Sequence, residues 1–282
     1  SIGELENTII MFAADNGGCA EFLAEDSNTP NPNQFNNPGP DGKKVNFGNI
    51  PNLRPGPADT FMSYDLPWAN LSNTPFRLFK RWVHEGGIST PFIVHWPEKI
   101  LNHNIIDTPV QFADISPTIL DICGAKYPGT FNGKDITPIE GESFARLFDG
   151  YEFSKDKPLC WEHEGNRAVR VGEWKLVSEY PGEWELYNIN DDRSETNNLI
   201  NKEKDIATNL EKKYKDWAKR CGILDWPIRV DNSSSKKIYS INKNEVGLDP
   251  NMTPINLEKE RRYERKPPNK NNNTIRGMRY SK

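Results

Sequence analysis

No stretch of this 282-residue chain approaches the roughly 18 consecutive apolar residues that a membrane-crossing helix needs. Its four cysteines, Cys19, Cys123, Cys160 and Cys221, include no CxxC pair, so the sequence encodes neither a disulfide framework nor a cysteine zinc motif. Apolar residues make up only 35% of the chain, and an ordinary globule reaches about 45 to 50% counting glycine. Such a deficit is expected of a chain that holds only part of a core. The formal net charge of -4 gives no reason to expect a nucleic-acid partner. Ser1 to Glu6 has no signal-peptide character and assigns no compartment. With 22 prolines and 20 glycines, much of the chain is expected to be loop.

What is present begins at Asn7 to Gly18, NTIIMFAADNGG. Ile9 to Ala14 is an unbroken apolar block of strand length, expected to form a strand covered on both faces of an α/β sheet. Polar chemistry starts where the strand stops, at Asp15 and Asn16 before two glycines. Sites in open α/β sheets lie beyond the carboxyl ends of strands, and a carboxylate beside an amide suits a hard cation. An ordinary Asp-Asn-Gly turn fits the same letters.

A second stretch, Asn73 to Trp96, reads NTPFRLFKRWVHEGGISTPFIVHW. An Asp-Asn-Gly strand end followed downstream by a lysine five positions before Glu-Gly-Gly resembles the sulfatase family of the alkaline phosphatase superfamily. VQFADISPTILDICG, GESFARLF, RAVRVGEWKLV and ELYNINDDRSETNNL are similar to later family segments and stand in family order. The resemblance implies that Asp15 and Asn16 ligate a single calcium ion and that Lys80 contacts the sulfate group. It also implies hydrolysis of a sulfated carbohydrate or aryl sulfate ester, in a periplasmic or secreted setting. The family's Cys/Ser-x-Pro/Ala-x-Arg motif, whose first residue becomes the formylglycine nucleophile, has no match in these 282 residues, nor has its early Asp-Asp pair. The chain is therefore read as the carboxyl-terminal portion of a sulfatase, expected to be inactive alone and to need the amino-terminal portion of the catalytic domain as its partner. A phosphatase or phosphodiesterase of the same superfamily is the alternative enzyme, although zinc there prefers a histidine where Asn16 stands. A catalytically inactive binding module, or a subunit completing a separate chain, is the alternative outside enzymes.

The fold expected is α/β: a partial alkaline-phosphatase-like sheet with flanking helices, then a small antiparallel sheet packed by a helix. Residues 1–155 hold the first part, 156–230 the second, and 231–282 a basic, Asn-rich extended tail. Cys19 to Pro67 reads as a long loop forming part of a pocket wall. Trp68 and Asn73 suit a sugar or aryl group, and His84 and His163 are further candidate substrate contacts. Lys80 lies in a basic cluster with Arg77, Arg81 and His84, which also fits a solvated helix face. Its ammonium supplies a compact charge and several donors to a sulfate. Gly86 and Gly87 are expected to turn the chain into a strand at Pro91 to Trp96, with His95 packed. Ser116 and Pro117 read as the cap and first residue of a helix running to Cys123. Beyond Pro158 short alternating segments predict an antiparallel meander, and Asn201 to Arg220 an amphipathic helix.

Overall fold

The computed structural model describes residues 3–21, 23, 39, 41–153 and 157–227. The expected basic tail at 231–282 lies outside the described residues, as does most of the stretch from 22 to 40.

The apolar run becomes strand β1 (Ile10–Ala13), which pairs antiparallel with β4 (Phe92–His95), Ile10 opposite His95 and Ala13 opposite Phe92. Period-two alternation turns Met11, Ala13, Phe92 and Val94 toward partly buried surroundings. On the other face Ile10, Phe12 and Ile93 are 46%, 61% and 57% exposed. The expectation of a strand covered on both faces therefore holds for one face only among the described residues. His95, expected to be packed, is also exposed. Beneath the strands lies an aromatic cluster: the Phe144 ring meets Phe92 and Phe148 edge-on at 5.7 and 5.8 Å, and Trp96 meets Phe148 at 6.1 Å.

Between these strands the long loop is not structureless. Two-residue strands β2 (Asn46–Phe47) and β3 (Thr60–Phe61) pair in parallel and stack Phe47 on Phe61 at 5.2 Å. Helix α1 (Asp65–Asn73) follows, then an irregular turn through Lys80 and the single turn α2 (Glu85–Ile88). Lys80 is thus on a turn and not on a helix face.

Helix α3 (Ile115–Ile122) starts before the expected cap at Ser116, and Pro117 sits inside its first turn. A proline is tolerated there because first-turn N–H groups have no acceptor within the helix. The order comes from Asp114, fully buried, whose two carboxylate oxygens accept the N–H groups of Gln111 and Glu142 at 2.7 and 2.9 Å. Thr118 donates its hydroxyl proton to the Asp114 carbonyl and accepts the Phe144 N–H, tying α3 to the aromatic cluster. An exposed hairpin, β5 (Thr130–Phe131) and β6 (Lys134–Asp135), turns through Asn132 and Gly133, both at positive φ.

The carboxyl-terminal sheet matches the expected meander: β7 (Leu159–His163), β8 (Asn166–Val171), β9 (Trp174–Ser178) and β10 (Glu185–Asn188), each antiparallel to the next in the order β10-β9-β8-β7. Alternation again sorts the side chains. Val169, Leu176 and Leu186 face helix α4 (Lys204–Cys221), which contributes Ala207, Leu210 and Tyr214. Ala168, Val177 and Tyr187 pack with Val83 and Ile189, with Ile88 and Trp161 at their margin. Gly222, in the left-handed conformation, ends α4 with its N–H on Lys219 O while Ile223 N–H reaches Ala218 O.

One ion cluster crosses from this sheet to α2. Lys175 of β9 is fully buried, with Nζ 2.8 Å from Glu85 Oε1 and 2.8 Å from Glu195 Oε1. Glu195 Oε2 in turn accepts the Glu85 N–H at 2.8 Å. Burial alone pushes the Glu85 carboxyl up, but the charge and hydrogen bond of Lys175, with Arg170 and Arg193 farther off, hold it below the ordinary carboxylate range. Replacing the lysine leaves two buried carboxylates facing each other. Lys175→Met is expected to lose about 3 to 5 kcal/mol of stability, measured by urea unfolding, and a loss under about 1 kcal/mol would contradict this reading.

Candidate active site

The site is assembled where two glycine-rich segments meet backbone to backbone. Gly17 N–H donates to Gly87 O at 2.9 Å, Lys80 N–H to Gly18 O at 3.0 Å, and Gly86 N–H to Arg77 O at 2.8 Å. A side chain on Gly17 would run into the Gly86 carbonyl, one on Gly86 into the Leu78 carbonyl, and one on Gly87 into that of Trp82. Gly86 and Gly87 do not adopt positive φ. They serve close approach within the helical turn and not, as expected from the sequence, the turn into β4.

Asp15 is exposed at the end of β1, and Asn16 beside it is partly buried, its amide nitrogen donating to Gly17 O at 2.8 Å. Lys80 stands across from them. Its Nζ is 3.3 Å from Glu21 Oε1 and 3.9 Å from Cys19 Sγ, with the side chain 41% exposed. Burial lowers the Lys80 pKa, but Glu21 most of all, then Cys19 and Asp15, raise it further, so it remains a firm cation. His163, at the end of β7, is exposed and its Nδ1 lies 3.1 Å from the Arg81 carbonyl. Because a carbonyl only accepts, Nδ1 carries the proton, and in the neutral ring Nε2 is left as an acceptor.

Asp15, Asn16, Lys80 and His163 line one solvent-open cleft of about 1810 Å³. The other three candidates do not. Trp68 lies on α1, 58% exposed. Asn73 is occupied as a clip: Oδ1 accepts Gly18 N–H at 3.0 Å and Nδ2 donates to Leu78 O at 3.1 Å, locking the lysine turn to the strand end. His84 is fully buried, with Nε2 3.4 Å from Glu185 Oε2. That oxygen also receives Arg77 Nη1 and the Tyr187 hydroxyl, each at 2.8 Å.

Three features were not picked out from the sequence. The β7–β8 turn is Glu164–Gly165, both at positive φ, and its flanks grip the lysine turn: His163 and Asn166 both donate to the Arg81 carbonyl, and Glu164 pairs with Arg81 Nε at 2.9 Å. Arg77 with Glu185 was missed because its partners are 108 residues apart. Lys175 had a signal, a charged residue between Trp174 and Leu176 in one of the segments expected to form the meander.

Oxygen donors Asp15 and Asn16 are the right chemistry for calcium, which takes about six to eight such ligands. Two are too few to complete a site, and among the described residues no group of three His, Cys, Asp or Glu side chains is placed to hold a metal.

Comparison with known proteins gives a consistent result. Residues 2–125 match the sulfatase family model, and residues 76–220 match the model described as N-sulphoglucosamine sulphohydrolase, C-terminal. An uncharacterized sulfatase of Schizosaccharomyces pombe is 32% identical over 237 residues, covering 80% of this chain and 40% of that protein. An N-acetylglucosamine-6-O-sulfatase of Bacteroides thetaiotaomicron is 28% identical over 156 residues, 49% of this chain and 27% of that one. Among solved structures, the crystal structure of Ps i-CgsB aligns with a TM-score of 0.51 at 21% identity, covering 77% of this chain and 37% of that chain. This chain thus spans 40% or less of the length of each.

Glu185 gives the site region a pH signature. Its hydrogen bond with His84, followed by those with Tyr187 and Arg77 and opposed by burial, holds its carboxyl down to about 2 from an ordinary 4.5. The folded state therefore binds this proton less readily than the unfolded state. The stabilisation is complete above about pH 4.5 and is lost as pH falls toward 2. Melting temperature is expected to fall through that window, and Glu185→Gln to flatten the fall; an unchanged slope in the variant would show that Glu185 is not its source.

Proposed function

Since this chain belongs to the sulfatase family, we propose that it is the carboxyl-terminal portion of a sulfuric ester hydrolase, bringing Asp15 and Asn16 to a calcium site and Lys80 to the sulfate group. The observation that carries the proposal is the placement of these three residues on one cleft, with Lys80 tied to the Asp15–Gly18 turn through its own backbone N–H.

Within that reading each side chain has a task. The Lys80 ammonium donates to a sulfate oxygen, exchanging the exposed Glu21 carboxylate for the substrate's anion. Its raised pKa keeps it charged throughout. Asp15 brings one negative charge to the metal and Asn16 a neutral oxygen. Calcium, when bound, adds positive field at the sulfate oxygens. His163 Nε2 offers an acceptor to a hydroxyl on the remainder of the substrate. A sulfated carbohydrate suits this mix of cation and acceptor, and the Bacteroides relative named as an N-acetylglucosamine-6-O-sulfatase supports that class. An aryl sulfate ester is the other candidate substrate.

The nucleophile comes from a polypeptide outside these 282 residues, which contain no formylglycine motif. The same polypeptide completes the calcium site and covers the apolar face of β1 and β4. Exposure of Ile10, Phe12 and Ile93 on one side of a two-stranded sheet supports this, because contiguous apolar surface of that kind normally marks an interface.

Calcium titration calorimetry on the 282-residue chain tests the half-site directly. Weak binding that disappears in Asp15→Ala is expected, together with no turnover of an aryl sulfate. Tight binding, or turnover by this chain alone, would refute the proposal. In the completed enzyme, Lys80→Ala should lower kcat/KM by about 10²- to 10³-fold, and an unchanged value would remove Lys80 from the mechanism.

A further inference from the structure

The turn that carries Lys80 does not hold its shape by local preference. Leu78 and Arg81, on either side of the lysine, adopt φ of 64° and 98°, a region that residues other than glycine keep only where their surroundings enforce it. The middle of the turn is held at the Arg81 carbonyl by His163 and Asn166. Its two ends meet on one atom. Arg77 Nη1 donates to Glu185 Oε2, at the start of β10, at 2.8 Å, and His84 Nε2 lies 3.4 Å from the same oxygen. The Tyr187 hydroxyl donates to that oxygen as well and accepts from Arg77 Nη1 at 3.2 Å. His84 is fully buried and its Nδ1 has no partner among the described residues, so Glu185 is the tie that orients the ring. A carboxylate only accepts, which puts the His84 proton on Nε2.

From this convergence we propose that Glu185 is a positioning residue, stapling both ends of the segment 77–84 to β10 and thereby holding the Lys80 ammonium where the sulfate group binds. The inference rests on the reading of Lys80 as the sulfate contact. Glu185, Arg77 and His84 do not line the cleft, so the carboxylate acts through the two side chains that bracket the turn. A charged acceptor suits the task, because a hydrogen bond from a guanidinium to a carboxylate is roughly twice as strong as one between neutral groups. The Glu185 carboxyl, held down to about 2 chiefly by its hydrogen bond with His84, keeps that charge at neutral pH. Without the staple, Leu78 and Arg81 are free to relax toward common backbone angles, and the lysine between them moves.

The first test needs no catalysis. Amide hydrogen exchange, followed by NMR on the 282-residue chain near neutral pH, reads the Lys80 N–H bonded to Gly18 O and the Gly86 N–H bonded to Arg77 O. In Glu185→Gln, and separately in Arg77→Met, both amides should exchange about tenfold faster, as when a charge-assisted hydrogen bond is weakened or lost. Amides of β9 that stay protected show that the variant is folded. Unchanged exchange at Lys80 and Gly86 in a folded variant would overturn the proposal. The second test is a double-mutant cycle in the completed enzyme. Glu185→Gln should lower kcat/KM about tenfold when Lys80 is present and cause no further loss in Lys80→Ala. An equal loss in both backgrounds would make Glu185 a support of the fold alone and overturn the proposal. If Lys80→Ala itself leaves kcat/KM unchanged, the sulfate contact is wrong, and the exchange rates alone decide whether Glu185 holds the turn.

Discussion

A buried ammonium fixes the short helix α2 against the carboxyl-terminal sheet. Lys175 projects from the centre of β9 between Glu85 and Glu195, and all three are essentially without solvent contact. Glu195 also caps the Glu85 N–H at the start of α2. A charge in such a place is tolerable only when paired and hydrogen-bonded, so the arrangement is nearly all-or-none. Given this fixed point, α2 has one position against the sheet, and the glycines within it have one position against the end of β1.

The candidate site follows from that constraint, and of these three ionic residues Glu85 alone borders its cleft. Gly17, Gly86 and Gly87 admit backbone contacts that any side chain would block, which brings the Asp15–Asn16 strand end within reach of the Lys80 turn. From the opposite side the β7–β8 turn holds the Arg81 carbonyl with His163 and Asn166. Asn73 closes the arrangement from α1. Residues from four separate segments thus fix one lysine whose side chain stays 41% exposed.

The carboxyl-terminal sheet is packed on both faces, whereas the β1–β4 pair is packed on one. Strands β8, β9 and β10 are covered on one face by α4 and on the other by the Val83–Ile88 region. Strands β1 and β4 have the Phe144 aromatic cluster on one side and exposed isoleucine and phenylalanine on the other. The low apolar share of the chain and its coverage of 40% or less of its relatives agree with that asymmetry.

Local pattern determined a good deal by itself. The apolar run before Asp15, the alternating segments after Pro158 and the three-to-four spacing in α4 announced their elements because each is decided by which side chains share a face over a few residues. The chain of ordered motifs announced the family for the same reason, being written in consecutive letters. Only the tertiary structure decided which candidates are accessible. His84 and Asn73 look like Lys80 in sequence, as polar residues near Glu-Gly-Gly, yet one is buried against Glu185 and the other is consumed by backbone groups. Exposure and hydrogen-bond satisfaction depend on partners up to a hundred residues away, and no local pattern carries that distance.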